Sequence, residues 1–229
     1  ATLNQFGAYA EYICMPETAT ISPMPQNSSF AEAATLPIGA LTANHFIKAA
    51  QLTPNKKILI YGASGSVGTY ALQLAKLTGA EITAVSSLKN QQLVTDLGAH
   101  KFIDYTSPDF ESQLATYDVV FVAVDKLPFT IANRVLKSGG IYINITAPFK
   151  SKEMKQAAKK ESKTIITGKD PAMRSSDLDE IKTLVETLKL KSIIDKTYPL
   201  TSITSAHHYT DQGHKKGNVA IMVLDENKL

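Results

Sequence analysis

One cysteine, Cys14, is all that the 229 residues contain. A single thiol excludes an intramolecular disulfide and any zinc lobe built from several cysteines of this chain. It fits a reducing compartment, and a cytoplasmic location is the expectation. Also missing is an apolar run near the roughly 20 residues that a bilayer-crossing helix requires. The chain does not open on the basic-then-apolar pattern of a signal segment either, so no membrane partner is expected. It begins at Ala1, and a processed or partial chain is the expectation. Charge of one sign is scarce: a net charge of +3 predicts no nucleic-acid partner, yet it does not repel an anionic ligand. No biased segment is long enough to suggest disorder. At 44% apolar and 20% charged, the composition is that of a globular chain, and the length allows one large domain or one with a smaller piece attached.

What is present alternates. "AYAEYICM" (residues 8–15) has β-rich character, and "SPMPQNSS" after it is a connector. Helical turns interrupted at Pro37 and Gly39 lead into a helix ending near Ala50. "KKILIYGA" is a continuous apolar strand. The helix after it sets Val67, Ala71, Leu74 and Ala75 on one face. "EITAVSS", "KFIDY", "YDVVFVAV", "IYINIT" and "KTIITG" read as further strands. "NQQLVTDLGA" is a short helix stopped at Gly98, and "FTIANRVLKSGG" a helix closed by glycine. A longer helix has Asp177 and Glu180 at capping-box spacing, with a stripe of Ile181, Leu184, Val185 and Leu188. The tail gives a helix, a basic turn and one apolar strand. Strands alternating with helices predict an α/β fold, a doubly wound parallel sheet of Rossmann type.

Two further features are set aside. Lys155, Lys159 and Lys163 fall at helical spacing and read as a solvated face. His207, His208 and His214 have no cysteine or acid cluster to complete a site, so no metal is expected.

The chemistry concentrates in "ILIYGASGSVG". Gly65 and Gly68 stand three apart, with Ala63 where a stricter pattern has glycine. Between a strand and a helix, the turn Ala63-Ser64-Gly65-Ser66-Val67-Gly68 suits a pyrophosphate. Gly65 lets the backbone approach it, Gly68 lets the helix pack on the strand, and the helix N-terminus adds partial positive charge. NAD sites carry an acid about 20 residues on, for the ribose 2′-hydroxyl. Here Ser86 and Ser87 of "VSSLKN" take that place, with Lys89 next. An aspartate repels a 2′-phosphate, whereas a serine and a lysine accept one. A charge-assisted bond from Lys89 contributes about 1.5–3 kcal/mol, so NADPH is the expected cofactor. Short-chain reductases share the glycine turn, but they need Tyr-x-x-x-Lys. Tyr70, Tyr105 and Tyr142 are followed four residues later by Leu74, Asp109 and Thr146.

With these residues in hand the chain resembles the medium-chain dehydrogenase/reductase family, in its zinc-free quinone oxidoreductase branch. The resemblance runs through "FGAYAEYICMP", "AATLPIGALTA", "ILIYGASGSVG", "LGAHKFIDY", "LKSGGIYINI", "IIDKTYPL" and "GHKKGNVAI". It implies an NADPH-dependent oxidoreductase of quinones or enones. It puts Thr42 against the nicotinamide end, Tyr105 at the 2′-phosphate side, and the backbone of Thr146 and Ala147 facing the nicotinamide; Lys216 has no firm role. No catalytic residue is assigned. Where zinc-dependent members have a cysteine ligand this chain has Ile38, and where the family has an acid and a glycine near the fourth strand it has Val122 and Asp125.

The family pattern also begins with further residues that build most of a β-rich substrate domain. The resemblance therefore implies a truncated chain. Residues 1–30 are a remnant of a GroES-like substrate domain, 31–192 a Rossmann NADP-binding domain, and 193–229 a return segment contributing remnant β strands. Activity is expected to be impaired, and a cofactor-binding module or sensor without turnover is the alternative. Pairing through the edge near "YINIT" to "TIITG" implies a homodimer.

Overall fold

Ser29 opens the helical part of the chain. Its hydroxyl accepts the Glu32 N–H at 3.3 Å while the Glu32 carboxylate accepts the Ser29 N–H at 2.9 Å. This reciprocal capping box starts α1 (Phe30–Ala34). A π-type turn at Leu36–Ala40 carries Pro37 near its start, and α2 (Leu41–Ala49) follows directly. Pro37 and Gly39 are therefore absorbed in one widened turn. The computed structural model describes residues 7–147, 149–168 and 174–223. The outer ends of the segments 1–30 and 193–229 lie outside the described residues. The chain forms two compact units, one of Ala43–Pro171 and one of Ala1–Thr42 with Ala172–Leu229.

The first unit holds β1 (Lys57–Tyr61), β2 (Glu81–Ser86), β3 (Lys101–Asp104), β4 (Tyr117–Val122), β5 (Leu136–Asn144) and β6 (Thr164–Thr167). They pair in parallel in the order β3-β2-β1-β4-β5-β6. The order reverses between β1 and β4, where doubly wound sheets bind ligands. β1 is buried at every position after Lys57, because helices cover both faces of the sheet. Leu59 and Tyr61 join Val120, Val122 and Tyr142 in one core cluster. Helices α3 (Ser66–Leu77), α4 (Gln91–Asp96), α5 (Phe129–Val135) and α6 (Lys152–Lys160) complete the layers. The expected α/β doubly wound sheet is what forms.

Two local expectations give way here. The helix expected to reach Gly140 ends at Val135, and Leu136 turns extended at φ −87°, ψ 124°. Leu136 instead pairs with Tyr117, ahead of a register shift in the β4–β5 ladder. Glycines at 139 and 140 contribute little to a helix, and burying Leu136 beside Tyr117 favours the strand. Lys163 is not on a solvated helix face either. α6 ends at Lys160, and Ser162 adopts φ +53°. Lys163 is then buried, donating to the Asn133 carbonyl at 2.8 Å and Asn133 Oδ1 at 3.0 Å and pairing with Glu161 at 2.5 Å. A buried ammonium persists only when paired in this way.

The other unit contains α1, α7 (Ser175–Glu186), β7 (Ile194–Pro199), α8 (Ile203–Asp211) and β8 (Asn218–Met222). β7 and β8 form a two-stranded parallel sheet against which α1 and α8 pack. The chain before α1 runs beside α7: Ser22 Oγ donates to Asp179 at 2.6 Å, the Gln26 N–H to Glu186 at 3.1 Å, and Asn27 Nδ2 to the Val185 carbonyl at 3.1 Å. Residues 8–15 form no strand. Strand geometry requires a ladder partner, none pairs with them among the described residues, and Tyr12 is almost fully exposed. α7 begins at Ser175, so Asp177 lies in its first turn rather than at a cap, beside Arg174 Nε at 3.2 Å.

β7 and α8 are joined through Asp195 and Tyr209. The Tyr209 hydroxyl donates to Asp195 Oδ2 at 2.5 Å, and the Lys216 N–H donates to the same oxygen at 3.0 Å. Burial opposes ionisation of Asp195, but these bonds and the charges of Lys216 and Lys196 outweigh it and hold the carboxyl below its usual range. The bond to Asp195 pushes the Tyr209 hydroxyl up to about 12. A raised value stabilises the fold below the unfolded tyrosine's pKa of about 10, and that contribution is lost as pH rises towards 12. Denaturant midpoints taken at pH 9 and 11.5 (roughly either side of free tyrosine) should therefore fall further for the native chain than for Tyr209→Phe. Equal falls would remove this bond from the stability of the unit.

Candidate functional site

Helix α3 approaches β1 more closely than a side chain at residue 68 allows. A Cβ on Gly68 would stand 2.1 Å from the Gly62 carbonyl oxygen and 2.9 Å from two Ala63 backbone atoms. Gly62 turns the chain out of β1 at φ +82°, and its N–H and that of Ala63 both reach the Val85 carbonyl of β2. Gly65 differs. It caps α3 in an ordinary extended conformation, and a Cβ there would meet only the Gly62 oxygen at 3.4 Å. One glycine is thus required by packing inside the protein, and the other leaves the mouth of the turn clear. As N-cap, Gly65 contributes no side-chain acceptor to the first turn of α3, so the helix presents its positive end there.

Apart from Thr42, the remaining sequence-predicted residues gather along the same C-terminal edge of the sheet. Ser86 ends β2, is buried, and directs its hydroxyl to the Ser87 carbonyl at 3.4 Å. Ser87 is half-buried. Lys89 lies exposed in the short turn Leu88–Asn90 and has no ion-pair partner among the described residues. Tyr105 follows β3, its N–H donating to the Ser86 carbonyl at 3.3 Å and its ring 6.3 Å from that of Tyr61. The acid beside Ser86 in the β2–β3 register is Asp104, whose Oδ1 is taken by the N–H and hydroxyl of Thr106 at 2.9 and 2.8 Å. Thr146 and Ala147 follow β5. Thr42 is the second residue of α2 and half-buried, in the other unit; Ile38 is exposed in the π-type turn.

Two asparagines that the sequence reading passed over organise this edge. Asn90 is buried and donates through Nδ2 to Ser64 Oγ at 3.0 Å and Ser87 Oγ at 3.2 Å. It ties the glycine turn to the end of β2. Asn144, also buried, accepts through Oδ1 from the Thr146 N–H at 3.0 Å, the Thr146 hydroxyl at 2.8 Å and the Ala147 N–H at 3.1 Å. Its Nδ2 donates to the Tyr142 hydroxyl at 3.2 Å and reaches Asp125 at 3.5 Å. Both backbone N–H groups expected to face a nicotinamide thus already have an acceptor. Burial pushes the Tyr142 hydroxyl up, which keeps it protonated. The signal for Asn144 was a polar residue ending an apolar strand. Asn90 read simply as a helix start.

Among the described residues no group of three or more His, Cys, Asp or Glu could hold a metal ion, and no helix is long and apolar enough to cross a membrane. The edge offers a tight glycine turn, an uncapped helix start, serine hydroxyls and a lysine, with the nearest acid engaged. That set suits the phosphates of a dinucleotide.

Known proteins resemble this chain along most of its length. A family model described as "Zinc-binding dehydrogenase" matches residues 97–221. A chloroplastic quinone-oxidoreductase homolog of Spinacia oleracea is 32% identical over 94% of this chain and 68% of its own length. An NADPH-dependent alkenal/one oxidoreductase of Arabidopsis thaliana chloroplasts is 28% identical over 95% of this chain and 53% of its own. The crystal structure of an NAD-dependent alcohol dehydrogenase superposes with a TM-score of 0.82 at 26% identity, over 94% of this chain and 65% of that one. The chain therefore spans between about half and two thirds of these proteins' lengths.

The packing argument is tested by two alanines. Gly68→Ala should lower unfolding free energy by about 1–3 kcal/mol in a denaturant titration, because the methyl meets fixed backbone. Gly65→Ala should cost no more than about 1 kcal/mol. A Gly68→Ala chain as stable as Gly65→Ala would show that α3 can move off β1 freely.

Proposed function

The chain belongs to the zinc-binding dehydrogenase family, within the medium-chain dehydrogenases/reductases, and from that premise we propose that it binds NADPH and serves hydride transfer to a quinone or an α,β-unsaturated carbonyl. The observation that carries the cofactor choice is the end of β2, where Ser87 and Lys89, which has no ion-pair partner among the described residues, stand in place of an acid. The related proteins named for quinone and for alkenal/one reduction support the substrate class. Ile38, where zinc-dependent members carry cysteine, supports a reaction without zinc. A cytoplasmic location belongs to the same proposal.

When bound, NADPH supplies the hydride; the protein's part is to hold and orient. The turn Ala63–Gly68 and the start of α3 would hold the pyrophosphate. Ser86, Ser87, Lys89 and Tyr105 would surround the phosphorylated ribose, and the backbone of Thr146 and Ala147 would face the nicotinamide. Asn144 fixes that backbone through three hydrogen bonds. A second reading is a cofactor-binding module or sensor without turnover of its own. Substrate-dependent loss of NADPH absorbance separates the two.

Parallel titrations with NADPH and NADH test the cofactor choice. NADPH should bind the native chain more tightly, and Lys89→Ala should weaken NADPH about tenfold or more while leaving NADH nearly unchanged. Equal affinities for the two nucleotides would remove the 2′-phosphate reading.

We also propose a homodimer. β6 ends the sheet order, with β5 as its one neighbour among the described residues, and an open edge strand is a template for pairing. Sedimentation at micromolar concentration should give twice the chain mass, and a monomer would defeat the pairing.

A further inference from the structure

We propose that Asn90 is a positioning residue that sets the polarity of two serine hydroxyls and thereby selects a phosphorylated ribose; the inference rests on the NADPH reading above and deepens it. A hydroxyl has one proton to donate and lone pairs to accept with. Asn90 Nδ2 donates into Ser64 Oγ at 3.0 Å and into Ser87 Oγ at 3.2 Å. Each serine oxygen therefore accepts from the interior, and its proton is left for another partner. Neither proton has an acceptor among the described residues. Ser64 stands in the glycine turn and Ser87 at the end of β2, so the two hydroxyls present donors where a pyrophosphate and a 2′-phosphate would lie.

Two observations separate Asn90 from an ordinary core asparagine. Asn90 is only 4% exposed, and its Oδ1 is buried with no hydrogen-bond partner, the only such side-chain atom among the described residues. A buried acceptor left unpaired is costly and asks for a reason. The reason here is that the amide group is used for its donors: two N–H bonds run to two hydroxyls on different loops, and the oxygen is left over. The same bridge couples the loops, so that anion binding at one aligns the donor at the other.

Aspartate at this position tests the polarity directly. It is nearly isosteric but accepts only, so it would draw both serine protons inward and turn lone pairs towards the phosphates. Asn90→Asp should weaken NADPH by about tenfold or more beyond any change in NADH. It also adds a negative charge, and a cycle with Ser87→Ala separates the two effects. If Asn90 acts through Ser87, the loss of NADPH-over-NADH preference in Asn90→Asp should shrink at least threefold (about 0.6 kcal/mol or more) in the Ser87→Ala background. Asn90→Ala keeps the test open should the aspartate fail to fold, with preference falling in the native background and not in Ser87→Ala. An unchanged preference in both variants, or a loss of the same size in both backgrounds, overturns the inference while leaving the NADPH reading intact. A native chain that binds neither nucleotide overturns both together.

Discussion

The close approach of α3 to β1 is the constraint on which the six-stranded unit depends. It exists because Gly68 has no Cβ: the space that a methyl would fill is occupied by the Gly62 carbonyl. That contact brings the N-terminal end of α3 to the C-terminal end of β1, at the place where the strand order reverses. From there outward, each loop at the sheet edge is hung from a neighbouring strand. The Gly62 and Ala63 N–H groups reach Val85, the Tyr105 N–H reaches Ser86, the Ala123 N–H reaches Tyr61, and the Ile145 N–H reaches Val122. A parallel sheet offers these carbonyls beyond its last ladder bonds, so the whole edge inherits its geometry from the register of the strands.

Side chains then do what the backbone cannot. Loops that leave adjacent strands diverge, and fixing one against another takes a short polar group with donors and acceptors at both ends. Asn90 spans the glycine turn and the β2 end; Asn144 gathers the turn after β5. Both are buried, where a hydrogen bond is less exposed to competition from water. Their placement leaves the hydroxyl protons of Ser64 and Ser87 and the Lys89 ammonium without a partner among the described residues, while Asp104 is bound to Thr106.

The second unit is held by different means. Its two-stranded sheet is too small to stand by itself. It relies on α1 and α8 packed against it, on the Tyr209–Asp195 bond joining β7 to α8, and on the polar contacts of residues 22–27 with α7. Its exposed Tyr9, Tyr12, Ile13 and Phe30 contrast with the closed core of the other unit. The relatives this chain resembles are longer by a third to a half of their own length.

The alternation of apolar runs and amphipathic stretches was enough to determine the parallel sheet, and the glycine spacing its first turn, while the family came from resemblance along several segments of the chain. Those are local signals, because periodicity and turn chemistry act within a few residues. Where the outcome rested on partners distant in the chain, the sequence was silent or misleading. Lys163 has the spacing of a solvated lysine, and only the acceptors of Asn133 draw it into the core. "LKSGG" reads as a helix end, yet Tyr117 on β4 makes its first residue a strand. Residues 8–15 have strand composition, but composition supplies no ladder. Asn90 looked like a helix start until the fold brought Ser64, which lies 26 positions away, against its amide. The sequence alone determined the alternation of strands with helices and the glycine turn between β1 and α3. The tertiary structure decided which polar groups are spent on one another and which are left to face a ligand, because a hydrogen bond is satisfied by whatever the packing brings within about 3 Å.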